Sequence, residues 1–393
     1  MTRLRLHRDA ARRIARSVVT AETRRIRGTD LSETHRHWTS GDDWPETLAI
    51  GDAGLGLDSL EQLGALGVLA ETFDLDDSLL GHDPPRTVGN WIDWILRGHD
   101  ADDSRMTVRT SGSTGAPRPC VHAMADLLGE ATYLATLLPG RRRVVALVPA
   151  HHLYGIIWTA LLPAALGVPV VIRTAGAALD LRAGDLVVAV PDQWRAILRR
   201  TARIPADIVG VSSAGPLDDD TAAALLATGI GRVIDVYGAS ETGAIAYRDV
   251  PATAYTLLPR WNLAARSDDW YLVDAAGHAV DLPDHVERTG ARTIRPVGRR
   301  DGAVQVAGHN VWPARVAQLL RAADGVADAA VRLHANGRLA AFIVPAPGRD
   351  PAALSVDLDR FAATRLAPHE RPKTLRFGAA LPRNAMGKLE DWT

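Results

Sequence analysis

From Ala101 onward the chain alternates short apolar runs with helical stretches, punctuated by Gly and Pro: RMTVRT, RVVALVP, GVPVVIR, DLVVAVP, DIVGVSSAG and GRVIDVYG. Continuous Val/Ile/Leu runs of strand length fit strands buried on both faces, and strands interleaved with helices fit a mostly parallel sheet. Such sheets carry their functional residues on loops at the strand ends. The pattern predicts an α/β core over residues 101–297. One tract imitates a membrane span, since Val144 to Ile172 has no Asp, Glu, Lys or Arg. Pro149, Pro163 and Pro169 divide it, so it reads as a strand, a turn, a helix and a second strand inside that core.

The flanking regions follow other patterns. Asp9 to Ile26 has Ile14, Val18, Ala21 and Ile26 near helical spacing beside a dense arginine face. An acidic, Trp-containing stretch without periodicity runs on to Gly56. Leu60, Leu63, Leu66, Val68, Leu69 and Phe73 then outline an amphipathic helix capped by Asp58 or Ser59. A last helix, TVGNWIDWILRG, ends at Gly98. These three helices, with a long loop before the second, are read as parts of an all-α four-helix bundle over residues 1–100. Beyond Gly298 come AVQVAG, the helix VWPARVAQLLRAA, the strand segment DAAVRLHANGRLAAFIVPA and a final helix near Asp357 to Arg365, a compact α+β unit over residues 298–393.

Charge narrows the partners. With 45 Lys+Arg against 46 Asp+Glu the net charge is -1, which gives no general field for nucleic acid or an anionic membrane and favours small molecules or proteins. A single cysteine, Cys120, excludes an internal disulfide and a thiolate zinc cluster and fits a reducing compartment. The N-terminal MTRLRLHRDAARRIARSVV lacks the apolar core and cleavage site of a secretory signal, so the cytoplasm is the expected location. Basic residues are nearly all arginine, and the only lysines are Lys373 and Lys388. A lysine kept in that background marks a place suited to a compact point charge rather than a planar fork.

TSGSTGAPR, Thr110 to Arg118, follows directly on the strand MTV. Small hydroxyl residues and glycines let backbone amides and hydroxyls close around phosphate oxygens. The string is not a Walker loop, and alone it also fits a flexible linker. Four more strings follow in order: PAHHLYG (Pro149 to Gly155), SSAGPL (Ser212 to Leu217), VYGASETG (Val236 to Gly243) and VGRRDGAVQVAGHNVWP (Val297 to Pro313), closing with NAMGKLE.

The ordered set, over residues 103–393, resembles the adenylate-forming superfamily, which holds acyl- and aryl-CoA ligases, peptide-synthetase adenylation domains and luciferases. The resemblance implies an AMP-forming ligase that uses ATP and Mg2+ to turn a carboxylic acid into an acyl-adenylate and then a thioester. It assigns Thr110, Ser111, Gly112, Ser113, Thr114 and Gly115 to a mobile loop around the ATP phosphates. Ser240 stands where the family usually has a phosphate-contacting threonine, and Glu241 matches its Mg2+ carboxylate. Tyr237 would stack near the adenine, with Ser213, Ala214 and Gly215 on the other side of the slot and Gly238 and Ala239 beside the nucleotide and the acid. Asp235 would accept from the adenine amine, Asp284 would hold the ribose, and Arg299 would support ribose and α-phosphate. Each of these three also reads as a surface salt bridge. Lys388 fits the catalytic lysine, Asp301 the hinge of a C-terminal lid, and Gly308 the loop near the incoming thiol.

His152 matches the position beside the substrate carboxylate. No aspartate between Val144 and Ile172 stands ready for an α-ammonium, so the implied substrate is an aryl or other non-amino carboxylic acid. Tyr154 and Trp158 would line a ring, or simply pack the core. Arg118 replaces a lysine common in the family, and the long subdomain that normally precedes the phosphate loop is missing. In its place GLGLDSLEQL, AETFDLDD and TVGNWIDWIL resemble an acyl carrier protein, with the signature Asp58-Ser59-Leu60. This second resemblance implies 4'-phosphopantetheine on Ser59 and a phosphopantetheinyl transferase as a partner. The expected fold class is α/β: a four-helix carrier-like domain (1–100), a truncated adenylation core (101–297) and a mobile lid (298–393). The thioester would form on Ser59 in cis or on a separate acyl carrier protein that feeds a downstream synthase, as in secondary metabolism. The alternatives are delivery to coenzyme A with a vestigial N-terminal bundle, and a non-catalytic docking module.

Overall fold

The structure, a computed structural model, describes residues 5–27, 44–80, 84–99, 103–111, 117–174, 176–201, 203–266, 269–300, 302–382, 389 and 392. Three helices come first: α1 (Arg8–Arg27), α2 (Ser59–Phe73) and α3 (Val88–Gly98). A capping box starts α2, with Asp58 Oδ1 accepting from the Glu61 amide at 2.8 Å and Glu61 Oε2 accepting from the Asp58 amide at 2.9 Å. Thr87 and Asn90 do the same for α3.

The four-helix carrier bundle expected over residues 1–100 is not confirmed. The described residues there form three α-helices and a 3-10 turn, Asp77–Leu80. Ile14, Leu69, Phe73, Trp91 and Trp94 share one continuous core with Leu127, Ile156, Trp158 and Trp261 from the sheet region. Burying these large side chains against the sheet layer removes apolar surface that a bundle this small would leave wet. The face of α2 also differs from the expected one. Leu60 and Leu63 are 70% and 66% exposed, while Glu61, Ala65, Leu69, Thr72 and Phe73 point inward. The ion pair of Glu61 with Arg27 and that of Glu71 with Arg109 (2.6 Å) fix this rotation.

Next, β1 (Arg105–Ser111) and β2 (Pro117–Ala123) form an antiparallel hairpin with Ser111 opposite Pro117, and α4 (Met124–Thr136) follows. The main sheet uses β3 (Arg143–Ala146), β4 (Val170–Ile172), β5 (Asp185–Ala189), β6 (Val209–Ser212), β7 (Arg232–Ala239), β8 (Gly243–Asp249) and β9 (Tyr255–Leu257). A small sheet of β10 (Asn262–Arg266), β11 (Asp269–Val273) and β12 (Ala279–Asp281) precedes its last members, β13 (Asp284–Arg288) and β14 (Thr293–Arg299). The nine-stranded order is β13-β14-β9-β8-β7-β6-β5-β3-β4. From β4 to β7 the pairs are parallel, and from β7 outward they are antiparallel.

Side chains alternate between the two faces as a strand requires. Leu186 and Val188 enter the core shared with α1 to α4, whereas Val187 and Ala189 enter a second core under α7 (Pro191–Leu198) and α8 (Asp219–Ala227). Between β3 and β4 the chain forms α5 (Leu153–Ile156), a π turn (Ile157–Leu161) and α6 (Leu162–Leu166), the strand, helix and strand expected of the uncharged tract. Among the described residues no helix is long and apolar enough to cross a membrane.

The C-terminal part has its own core of Val306, Val311, Leu320, Ile343 and Leu358. It comprises the hairpin β15 (Val304–Val306) and β16 (His309–Val311), α9 (Pro313–Arg321), β17 (Val326–Leu333), β18 (Leu339–Pro345), α10 (Pro351–Arg365) and β19 (Thr374–Phe377). The last helix starts ahead of the expected Asp357 because Asp350 caps it, accepting from the Ala353 amide at 2.9 Å.

Candidate functional site

The C-terminal ends of β6 and β7 open a crevice where parallel pairing gives way to antiparallel. After β6, the Ser213 hydroxyl donates to the Val236 carbonyl at 2.9 Å, and Ala214 takes a left-handed φ of 64°. That closes the SSAGPL segment into a turn facing β7. Ser212 Oγ is buried there without a partner among the described residues. Across the crevice the Tyr237 hydroxyl donates to Asp284 Oδ2 at 2.9 Å, and Arg299 Nη1 lies 3.9 Å from the same oxygen. Tyr237, Asp284 and Arg299, distant in sequence, thus converge although β8 and β9 stand between β7 and the β13–β14 pair in the strand order. Burial and the neighbouring Asp284 carboxylate push the Tyr237 phenol up, so it stays a donor.

Asp235 lies elsewhere. It is 1% exposed, and its Oδ2 accepts from Arg248 Nε at 3.0 Å and from the Tyr255 hydroxyl at 2.6 Å. This buried ion pair engages Oδ2 and braces the sheet, and the adenine contact expected of Asp235 would fall to its other oxygen.

Beyond β7, the residues Ser240 to Thr242 make the turn that presents Glu241, which is exposed. Three groups hold this turn. His122 Nε2, on β2, donates to the Ser240 carbonyl at 2.7 Å; Thr242 Oγ1 accepts from the Ala239 amide at 3.2 Å; and Glu130, on α4, accepts from the Ala244 amide at 3.2 Å. Glycine is required at two points. A Cβ on Gly238 would sit 2.4 Å from the Gly243 carbonyl oxygen, and one on Gly243, at φ 72°, would sit 2.7 Å from Glu130 Oε2. Burial raises the Glu130 acid to about 8, against the lowering effect of the Ala244 amide. Burial likewise lowers the His122 imidazole.

The other wall, where the acid is expected, is PAHHLYG. A Cβ on Gly155 would lie 1.9 Å from the Pro149 carbonyl oxygen, so the turn that presents His151 and His152 admits only glycine there. Their rings lie 4.3 Å apart. His152 is exposed, whereas His151 is hydrogen-bonded to Ser17 Oγ of α1 at 2.9 Å and is pushed down to about 4, chiefly by burial. The adjacent π turn frees carbonyls, and Arg13 of α1 donates to that of Thr159 at 3.1 Å. Tyr154 sends its hydroxyl into the sheet, donating to the Ala189 and Val211 carbonyls at 3.1 Å. Trp158 is fully buried. These two aromatics support the wall from behind, the core-packing alternative.

The β15–β16 hairpin leans over both walls. Gln305 Oε1 approaches within 3.8 Å of where a Gly215 Cβ would be, and His309 lowers the proton affinity of His152 after burial has done most of it. Gly238 and Ala239 end β7 at the crevice floor. Thr110 and Ser111 end β1, which places the start of the phosphate loop at the mouth of the β1–β2 hairpin. Gly112, Ser113, Thr114, Gly115, Asp301 and Lys388 lie outside the described residues. Sequence reasoning missed Ser17, Arg13, His122 and Glu130, which act through tertiary contact. Gly243 beside Thr242 was the one local sign of a crowded turn.

A model of the family described as AMP-binding enzyme matches residues 70–292, and one described as AMP-binding enzyme C-terminal domain matches residues 315–388. The chain is 36% identical to a 4-coumarate–CoA ligase of Cereibacter sphaeroides over 98% of its own length and 97% of that protein's. It is 38% identical to one of Halorhodospira halophila, covering 85% and 87% of the two chains. In fold it is similar to a malonyl-CoA ligase solved with methylmalonyl-CoA and AMP, with a TM-score of 0.60 at 23% identity, over 82% of this chain and 87% of that one.

Proposed function

The chain belongs to the AMP-binding enzyme family of AMP-forming ligases, and from that premise we propose that it joins a small aryl carboxylic acid to coenzyme A at the expense of ATP. The observation that carries the reading is the convergence of Tyr237, Asp284 and Arg299 opposite the SSAGPL turn, beside a braced Glu241. Relatives that span nearly the whole chain are named 4-coumarate–CoA ligases, so the proposed acid is a planar hydroxycinnamate or a close analogue. Its carboxylate would lie by His152, along a wall with no side-chain anion between Val144 and Ile172 to attract an amino acid's ammonium.

In the first half-reaction a carboxylate oxygen attacks the ATP α-phosphorus and pyrophosphate leaves. Joining two anions demands alignment and fixed positive charge. Asp284, one oxygen engaged by Tyr237, offers the other to the ribose hydroxyls, and Arg299 supplies charge at the α-phosphate side. Lys388 would bridge carboxylate and phosphate, as the resemblance implies. The residues fit a magnesium ion carried with the ATP phosphates, because Glu241 is an exposed carboxylate on a held turn, and one or two carboxylates plus phosphates make that ion's usual set. Bound there, it would neutralise the phosphate charge. In the second half-reaction a thiol displaces AMP from the acyl carbon.

Coenzyme A is favoured over a carrier in cis. A carrier has to travel to its partner site, whereas α2, which Ser59 begins, is tied to α1 by Arg27–Glu61 and to β1 by Arg109–Glu71. Phosphopantetheine on Ser59 does not fit that fastening, and no step runs through it. The test is incubation of the chain with ATP, Mg2+, coenzyme A and a panel of hydroxycinnamic, benzoic and aliphatic acids, with AMP and thioester resolved by chromatography. Hydroxycinnamoyl thioester with equimolar AMP is expected, and AMP from no acid would overturn the proposal.

A further inference from the structure

Resting on the ligase reading above, we propose that His309 accepts the thiol proton in the thioester-forming half-reaction, its ring held by His369. The hairpin that carries it turns through Ala307 and Gly308, both left-handed at φ 51° and 80°, and β16 starts with His309 itself. That imidazole stacks on His369 at 4.0 Å between centroids and 9° between planes. One rung from His309, Gln305, paired with Asn310, reaches the Gly215 turn on the proposed nucleotide side. Adjacent rungs of a ribbon present opposite faces, so Gln305 and His309 project to different sides, Gln305 toward Gly215 and His309 near enough to His152 to influence it.

An alkyl thiol is mostly protonated near neutral pH, and the thiolate is the nucleophile. As sulfur attacks the acyl carbon of the adenylate, the S–C bond forms and the S–H bond breaks. The acyl C–O bond to the phosphate breaks too, and AMP leaves with that electron pair. The proton goes to an imidazole nitrogen of His309. Partial burial lowers the His309 imidazole, which favours the neutral ring with a lone pair to receive the proton, and its exposed edge returns the proton to water. His151 is less suited, being engaged by Ser17 and buried behind His152.

The test separates the half-reactions in His309→Gln and His309→Phe. Adenylate formation is read by ATP–pyrophosphate exchange. Acyl transfer is read in single turnovers from preformed adenylate to coenzyme A and, in parallel, to hydroxylamine, a neutral amine that attacks without prior deprotonation. Transfer to coenzyme A should fall about 10²-fold, the ordinary contribution of a general base, and far more than transfer to hydroxylamine or exchange. Equal losses with both acceptors, or undiminished transfer to coenzyme A, would overturn the assignment. Absence of exchange in the unmodified chain with every acid would instead sink the ligase reading. His369→Phe, which keeps a flat stacking face, should retain transfer better than His369→Ala, and equal losses in the two would overturn the stacking role.

Discussion

The two walls of the crevice are built on different plans. The nucleotide wall is held by its neighbours in the sheet and its hairpins: Ser213 on Val236, Tyr237 on Asp284, His122 on Ser240. The acid wall is held from outside the sheet, by a helix near the start of the chain that places Arg13 on the Thr159 carbonyl and Ser17 on His151. Strand topology dictates the first wall, so its geometry comes with the fold. The second depends on whichever helix is laid over it.

The largest effect should come from breaking the nucleotide wall. Asp284→Ala and Glu241→Ala should each lower ATP–pyrophosphate exchange by about 10²-fold or more, as loss of an electrostatic partner at a reacting phosphate does, with the KM for the acid little changed. A change mainly in the acid KM would mean that the walls are not separable. Ser17→Ala should act on the other side, raising the acid KM by about 10-fold with the KM for ATP unchanged, as steady-state kinetics would reveal. A matching rise for ATP would erase the distinction.

Glu130 gives a subtler test, since it braces the nucleotide wall from beneath through α4. Its acid is raised from 4.5 to about 8 by burial, so its contribution to stability is full below 4.5 and is lost as pH rises through about 8. The melting temperature should fall as pH rises from about 5 to about 8 and level off above that, and less so in Glu130→Gln, by scanning calorimetry. Equal slopes would show that the carboxyl does not titrate there. Smallest of all, Ser59→Ala should leave turnover with coenzyme A unchanged, and the unmodified chain should gain no pantetheine mass on treatment with a phosphopantetheinyl transferase. A mass gain lost in the variant would return α2 to a carrier role.

The asymmetry between the walls also explains what the sequence could reveal. Glycines and hydroxyl residues at β-strand ends are local requirements, so TSGSTG, SSAGPL and YGASE stand out as strings, whereas the approach of Tyr237, Asp284 and Arg299 is tertiary. The buried ion pair of Asp235 with Arg248 and its bond from Tyr255 left no trace in the string, because both partners come from other strands. Leu60 and Leu63 were expected inside because leucine count suggests an apolar face, whereas Arg27 and Arg109 set the rotation of α2 from other elements. Ser17 and Glu130 had no local signature at all. Each sits on an amphipathic helix, where a polar residue ordinarily means solvent.

Glu130 and Gly243 form a lock whose two parts lie far apart in the chain. Any side chain at 243 would strike the carboxylate, and removing the carboxylate would strand the buried Ala244 amide. Neither position can drift alone without cost, so lineages should hold both residues or exchange both at once, and a comparison of descendants should find the two changing in step. The turn that bears Glu241 would then be inherited as one unit with a helix on the other side of the core, an evolutionary bond between two stretches of chain that share no motif.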